Sequence, residues 1–142
     1  MHRTLEVMGR GRTGEKLKAF ISAVAADQKL SAEQSDELGK LALKIASSEA
    51  WRALFDGGKP QFELSIMRRT EDNGIEVITE GVIDAAVATG ERWLVVDWKS
   101  DTVGDDVWRE RSTQYERQVS AYAEMVSALT GLEVRSRVER VV

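Results

Sequence analysis

The feature that most restricts the fold of this chain is a change of hydrophobic period at Pro60. Directly after it, "QFELSIMRR" alternates apolar and polar residues as a half-buried strand does. "EDNG" then supplies the asparagine and glycine of a tight hairpin turn, and "IEVITEGVIDAAVA" continues as the partner strand. We place a second turn at Thr89 and Gly90, after which "RWLVVDW" carries apolar residues in both phases. The sequence therefore predicts a three-stranded meander whose last strand is covered on both faces.

Helical patterns lie on both sides of this meander. The sequence predicts an amphipathic helix from about residue 13 to 28, a second from the capping-box pair Ser31 and Gln34, and a short third, "SSEAWRALF". A long helix with an apolar stripe from Tyr115 to Leu129 follows the meander, and the alternating strand "LEVRSRVERVV" ends the chain. We therefore expect an α/β (α+β) fold, with a mixed sheet that contains an antiparallel meander and is flanked by helices.

The composition is that of one folded domain. The 142 residues are 42% apolar and 31% charged, and the absence of cysteine excludes disulfides and thiolate metal sites. No apolar run approaches the ~20 residues that a membrane span requires, so we expect a cytoplasmic protein with no membrane partner. The formal net charge of −4 argues against a protein that coats nucleic acid by charge alone. A negative net charge does not exclude a local basic strip, although clusters such as Arg109, Arg111 and Arg117 are commonly solvated surface.

Two aspartates and a lysine interrupt the apolar strands of the meander. Residues two apart on a strand share a face, so Asp97 and Lys99 point the same way. A two-residue turn sets Asp84 opposite Val95 and diagonal to Asp97 on that face, whereas a turn one residue longer separates the aspartates. Two carboxylates near a sheet interior need positive charge, which a divalent cation with oxygen ligands supplies better than one lysine. The pattern indicates a Mg²⁺ site, with the main-chain carbonyl of Trp98 as a further ligand.

The same residues also have a purely structural interpretation. An aspartate at a strand end is commonly solvated, and an Asp-x-Lys pair is commonly a surface ion pair that adds little stability. The matching phase of Asp84 across the hairpin favours the metal-site interpretation. The pattern alone leaves both open, and the register of the hairpin separates them.

With these residues in view, the chain resembles a known family. "GVIDAAVATGERWLVVDWKSDT" is similar to the nuclease core of the PD-(D/E)XK superfamily, in particular the RecB and AddA type fused to the C-terminus of UvrD-like helicases. "MHRTLE" resembles the family's histidine helix, "YERQVSAYAEMV" resembles its Tyr-x-x-Gln-x-x-x-Tyr helix, and Glu63 stands where the family often has a strand glutamate. The resemblance runs from His2 to about Leu132 and implies a restriction-endonuclease-like core.

The resemblance also implies a set of site residues. The ligands of a catalytic Mg²⁺, for which Mn²⁺ can substitute, would be His2, Asp84, Asp97 and the main-chain carbonyl of Trp98. Lys99 would orient the attacking water or stabilise the transition state. The remaining members would complete the site or contact DNA: Gln118 and Tyr122 as catalytic residues, Glu63 and Tyr115 as supporting ones. Packing of a half-buried helix explains Gln118 and Tyr122 equally well, and a frayed terminus explains His2.

The implied function is Mg²⁺-dependent hydrolysis of DNA phosphodiester bonds. No ATP-binding loop is present, since "GRGRTGEK" has Glu15 where that loop needs a lysine. We therefore expect residues 1–142 to be a single nuclease domain, either excised from the C-terminus of a larger helicase-nuclease or a stand-alone relative, and we favour the excised domain. It would be an exonuclease whose partners are DNA and an ATP-dependent helicase, in the same polypeptide or a separate subunit, in double-strand-break repair and recombination. The alternatives are a catalytically weak or inactive nuclease-fold module that binds DNA or acts as a scaffold, and a structural protein whose aspartates pair with arginines.

Overall fold

The computed structural model describes Ala23 and residues 26–141. Among the elements that the structure describes in full, two helices precede the sheet, α1 (Ala32–Ala46) and α2 (Glu49–Gly57). They are followed by β1 (Gln61–Asp72), β2 (Ile75–Thr89), β3 (Arg92–Lys99), α3 (Asp105–Thr130) and β4 (Glu133–Arg140). The predicted helix over residues 13–28 lies largely outside the described residues, and the other predicted helices and strands are confirmed.

The four strands form one mixed sheet in the order β1-β2-β3-β4. The pairs β1–β2 and β2–β3 are antiparallel, and β4 pairs with β3 in parallel. Parallel neighbours need a long crossover, which α3 supplies between β3 and β4. The expected α/β class with an antiparallel meander is therefore confirmed. None of the helices in the described residues is long and apolar enough to cross a membrane.

Local chemistry explains where the elements begin and turn. The Ser31 hydroxyl accepts a hydrogen bond from the Gln34 N–H while the Gln34 side chain accepts one from the Ser31 N–H, which is the predicted capping box of α1. The β1–β2 hairpin turns at Asn73 and Gly74, whose φ angles of 50° and 80° are both left-handed. Asparagine and glycine adopt such angles at the lowest cost, so this predicted turn is confirmed.

The predicted position of the second turn is wrong by one residue. Thr89 pairs with Arg92, so the turn consists of Gly90 and Glu91 rather than Thr89 and Gly90. Gly90 takes the left-handed φ of 62°, while the β-branched Thr89 extends the strand. The correction moves the pairing by two positions, so residues that were expected on one face remain on one face.

Helices cover both faces of the sheet and create two apolar clusters. On one face, Ile45 of α1 and Leu54 of α2 pack with a cluster that includes Val96. On the other, Val119 and further residues of α3 pack with a cluster that includes Val95. Both valines of β3 have no solvent exposure, so the predicted burial of this strand on its two faces is confirmed.

Strand β1 breaks its alternation at Glu63. Phe62 packs against the α1–α2 cluster, whereas Leu64 packs against the α3 cluster, although residues two apart in a regular strand share a face. Glu63, between them, has a left-handed φ of 54°, which is uncommon for a residue with a side chain. Because Phe62 pairs with Ala85 and Leu64 with Ile83, Glu63 lies opposite the residue between those two partners, Asp84.

Candidate functional site

Two acidic side chains meet at the middle of the sheet. The β2–β3 ladder ends with the pair Ala85 and Val96, and one further step along that register sets Asp84 opposite Asp97. The side chains share the face that α3 covers, and their residues are 5% and 9% exposed. The sequence argument required the aspartates on one face, and this is confirmed. They lie opposite each other rather than diagonally, because the turn is at Gly90 and Glu91.

A main-chain donor fixes the Asp84 carboxylate. The Trp98 N–H donates to Asp84 Oδ2 across 3.0 Å, and this bond lies in the buried part of the sheet. Burial of Asp84 and the neighbouring charge of Asp97 together raise the pKa of Asp84 to about 7, against the opposing effects of the Trp98 N–H and Lys99. The Asp84 carboxyl is therefore costly to ionise until more positive charge is present.

Lys99 supplies part of that charge. Its ammonium nitrogen is 3.0 Å from Asp97 Oδ2. Burial lowers the pKa of Lys99, but the contact with Asp97 and the charge of both aspartates outweigh this and raise it. Asp97 Oδ2, the oxygen that the ammonium contacts, is itself buried. One ammonium thus faces two carboxylates, so when both are ionised the negative side-chain charge exceeds the positive charge.

These groups fit a hard divalent cation, which prefers oxygen ligands and tolerates one or two protein carboxylates. Asp84 and Asp97 are on adjacent strands with their oxygens on one face. The side chain of Trp98 packs in the opposite cluster, where its indole N–H donates to the Ser48 hydroxyl at 3.4 Å. Among the described residues, no group of three or more His, Cys, Asp or Glu side chains gathers at one point. The predicted ligand His2 lies outside the described residues, so its role stays a prediction.

The site residues that were predicted on α3 take part in two separate contacts. Tyr115 lies beside Lys99, with the ammonium nitrogen 4.7 Å from the ring centroid. The exposed Gln118 donates to the Tyr122 hydroxyl across 3.3 Å, and Tyr122 packs against the α3 cluster. The structure thus joins Tyr115 to the lysine and Gln118 to Tyr122. The catalytic roles assigned to these residues stay predictions.

The packing of α3 on the sheet explains why a glycine, Gly81, stands at the start of "GVIDAA". A Cβ atom at this position would lie 2.3 Å from Cε1 of Tyr122, far inside van der Waals contact. The glycine therefore lets the ring of Tyr122 lie against the backbone of β2, three residues before Asp84. Part of the Gly-x-x-Asp pattern thus depends on how α3 packs on the sheet.

Sequence reasoning missed two residues next to Lys99. The Tyr115 hydroxyl donates to Asp101 Oδ2 across 2.6 Å, and Arg111 Nη1 lies 3.3 Å from the same oxygen. This hydrogen bond raises the pKa of Tyr115 and lowers that of Asp101. Asp101 stands two residues after Lys99, and Arg111 stands one helical turn before Tyr115, so both signals were present in the sequence. Arg111 was interpreted only as part of a solvated cluster.

Glu63 lies in the same row across the sheet as the aspartates. It is opposite Asp84 on β1, as Asp97 is on β3. A left-handed glutamate costs free energy, and such residues are concentrated at functional sites. The assignment of Glu63 as a site-supporting residue stays a prediction.

The fold and the site define a mixed α/β domain with a buried acidic pair and a lysine at the centre of its sheet. Compared with known proteins, the chain is 34% identical over 62 residues to an ATP-dependent helicase/nuclease subunit of Carboxydothermus hydrogenoformans. The match covers 44% of this chain and 5% of that much longer protein, so the chain corresponds to a small part of it. No family model matches the chain.

A solved structure is similar over a longer range at lower identity. The crystal structure of SSO0001 covers 85% of this chain and 54% of its own, with 14% sequence identity and a TM-score of 0.46.

Proposed function

We propose that this chain is a metal-dependent DNA nuclease module of the PD-(D/E)XK type. It would hydrolyse phosphodiester bonds as an exonuclease, together with an ATP-dependent helicase, in double-strand-break repair and recombination. One observation carries the proposal: two buried carboxylates, Asp84 and Asp97, face a single ammonium group, that of Lys99, whose nitrogen is 3.0 Å from Asp97 Oδ2. The 62-residue similarity to a helicase/nuclease subunit supports the choice of DNA as substrate.

Four groups would hold the metal: Asp84, Asp97, the main-chain carbonyl of Trp98, and His2. When bound, Mg²⁺ or Mn²⁺ would neutralise charge on the phosphoryl group and lower the pKa of a bound water. The Trp98 N–H orients one Asp84 oxygen. Asp97 Oδ2 is buried beside the Lys99 ammonium in the same place.

Side chains of this chain would stabilise the developing charge and position the substrate. Lys99, 3.0 Å from Asp97, would donate a charge-assisted hydrogen bond where negative charge develops on the phosphate, or orient the attacking water. Gln118 and Tyr122 would act in the same site or contact the DNA strand from α3. Glu63 would support Asp84 from the neighbouring strand.

A partner would bring the DNA to this site. The formal net charge of −4 gives the chain little general attraction for a polyanion. A helicase that feeds one strand would replace electrostatic capture by a high local concentration of substrate. We therefore propose that the partner is a helicase, either as another portion of the same polypeptide or as a separate protein.

The first prediction is that Asp97→Asn abolishes cleavage while the domain stays folded. The substitution removes one ligand charge and keeps the side-chain shape, so hydrolysis of end-labelled duplex DNA in Mg²⁺ should fall by at least about 100-fold. Lys99→Met should cause a loss of similar size without loss of metal uptake. Asp56→Asn, an exposed aspartate of α2, is the matched control and should cleave as the wild type does. Undiminished cleavage by Asp97→Asn would refute the proposal.

Metal titration separates the proposal from its alternative. Calorimetry with Mg²⁺ and Mn²⁺ should give uptake in the wild type and in Lys99→Met, and none in Asp97→Asn. Uptake without cleavage by the wild type would favour a catalytically inactive DNA-binding or scaffold module. Absence of uptake would leave the aspartates a structural role only.

A further inference from the structure

Two contacts connect α3 with the end of β3 and the loop that follows it, at the margin of the acidic pair. The Tyr115 hydroxyl donates to Asp101 across 2.6 Å, and the Tyr115 ring lies 4.7 Å from the Lys99 ammonium nitrogen. The main chain joins Lys99 to Asp101 through one intervening residue. Lys99, Asp101 and Tyr115 therefore form a closed set in which each member restrains the next.

This set limits where the Lys99 ammonium can point. A lysine has a flexible four-carbon stem, so contact with Asp97 on one side leaves many rotamers available. The face of an aromatic ring attracts an ammonium group and provides a second, differently placed restraint. The Tyr115 ring can do so only if it is itself fixed, and its short hydrogen bond to an ionised carboxylate fixes it.

The Asp101 carboxylate is held in turn from the same helix. Arg111, one turn before Tyr115, lies 3.3 Å from Asp101 Oδ2, the oxygen that accepts the hydrogen bond from the Tyr115 hydroxyl. The loop between β3 and α3 makes a further hydrogen bond, in which the Arg140 guanidinium of β4 donates to the Val103 carbonyl. All of these contacts are made between groups of this chain, so they need no substrate group to complete them.

We propose that Asp101 is a positioning residue, which acts through the Tyr115 hydroxyl to fix the direction of the Lys99 ammonium. The inference rests on the proposed nuclease function and extends it to residues outside the predicted site. It also changes the role of Tyr115, whose hydroxyl is engaged with Asp101 rather than offered to DNA. Loss of Asp101 should therefore affect turnover rather than the binding of substrate or metal.

A double-mutant cycle tests the coupling. Asp101→Ala and Tyr115→Phe should each lower kcat by about 10-fold to 100-fold, because small misplacements of a catalytic group have effects of this size. Their combination should be no slower than the worse single variant, since both break one contact. KM for DNA and the affinity for Mg²⁺ should be unchanged. Glu116→Ala, which removes an exposed acid beside Tyr115, is the control for lost charge and should be as active as wild type.

A second measurement does not depend on catalysis. The ring current of Tyr115 should shift the ε-methylene protons of Lys99 upfield in the NMR spectrum of the wild type. Tyr115→Leu should remove this shift and Asp101→Ala should reduce it, with thermal melting unchanged. The proposal would be overturned if the effects of Asp101→Ala and Tyr115→Phe on kcat multiplied in the double variant. It would also be overturned if the chemical shift of the Lys99 ε-methylene protons were unchanged in Asp101→Ala. If the wild type takes up Mg²⁺ but cleaves no DNA, the nuclease function fails instead, and the proton shifts alone decide the positioning role.

Discussion

At the scale of single residues, Asp84 is the group whose energy depends most on its surroundings. It is almost fully buried, it faces a second carboxylate, and one main-chain donor contacts it. Without a cation, ionising it places two like charges together out of water. The residue therefore decreases the stability of the metal-free domain at neutral pH, as expected of a group kept for binding rather than for folding.

The pH dependence of stability follows from this raised pKa. A carboxyl group whose pKa is 3.8 when unfolded and about 7 when folded retains its proton on folding, so stability is lost as the pH rises through that interval. The free energy of unfolding of the metal-free wild type should fall relative to Asp84→Asn between about pH 4 and about pH 8. Urea unfolding of both variants at several pH values measures the difference. Parallel curves would contradict the prediction.

Adding metal should reverse this loss of stability at higher pH. Mg²⁺ binds the ionised carboxylates, so its uptake releases the proton that Asp84 holds. At pH 8 and a free Mg²⁺ concentration of about 100 times Kd, the wild type should gain about 2.7 kcal/mol of stability. The Asp97→Asn variant should gain much less under the same conditions. Equal gains in the two variants would place the metal elsewhere.

At the scale of elements, the contact between β2 and α3 depends on Gly81. Gly81→Ala would bring its Cβ within 2.3 Å of the Tyr122 ring, so the ring must move away from the strand. The expected cost is about 1–3 kcal/mol of unfolding free energy, as for other overpacked sites. The cost should disappear in a Tyr122→Ala background, where the clashing ring is absent. Gly39→Ala in α1, where no atom lies within 4 Å, is the matched control and should stabilise the helix slightly.

The elements also mark the limit of what the sequence can predict. The Asn73-Gly74 turn and the Ser31 cap were predictable because neighbouring residues determine them. The second turn was placed one residue early because glycine suits either turn, and only the pairing of Thr89 with Arg92 decides. The left-handed Glu63 was not predictable, since its backbone angle depends on how two helices cover opposite faces of the sheet.

The same limit applies to the site. Asp84, Asp97 and Lys99 could be grouped from the period of two strands and one hairpin. The sequence places Asp101 two residues after Lys99, but it does not show the contact with Tyr115, which joins residues 14 apart and depends on how α3 lies against β3. The metal-ligand role of His2 and the catalytic role of Gln118 stay predictions.

At the scale of the whole molecule, the acidic balance of the chain makes delivery of DNA the limiting step. With a formal net charge of −4, the isolated domain should bind DNA weakly, so cleavage in dilute solution should be limited by KM. Fusing a sequence-neutral DNA-binding domain after Val142 should raise kcat/KM by about 100-fold, the lower range of tethering effects, and leave kcat unchanged. Steady-state cleavage at several DNA concentrations separates the two constants. Tight binding of DNA by the unfused chain would contradict this view.

The two-residue turn at Gly90 and Glu91 has a consequence for how such a domain can change length during evolution. Side chains alternate along the paired parts of β2 and β3, from Ala85 to the turn and from the turn to Val96, so an insertion or deletion of one residue there would turn one carboxylate towards α1 and α2. A change of two residues would slide the strands and keep both acids on the α3 side. Working homologues should therefore differ at this hairpin by even numbers of residues, unless a bulge elsewhere in the strand absorbs the odd one.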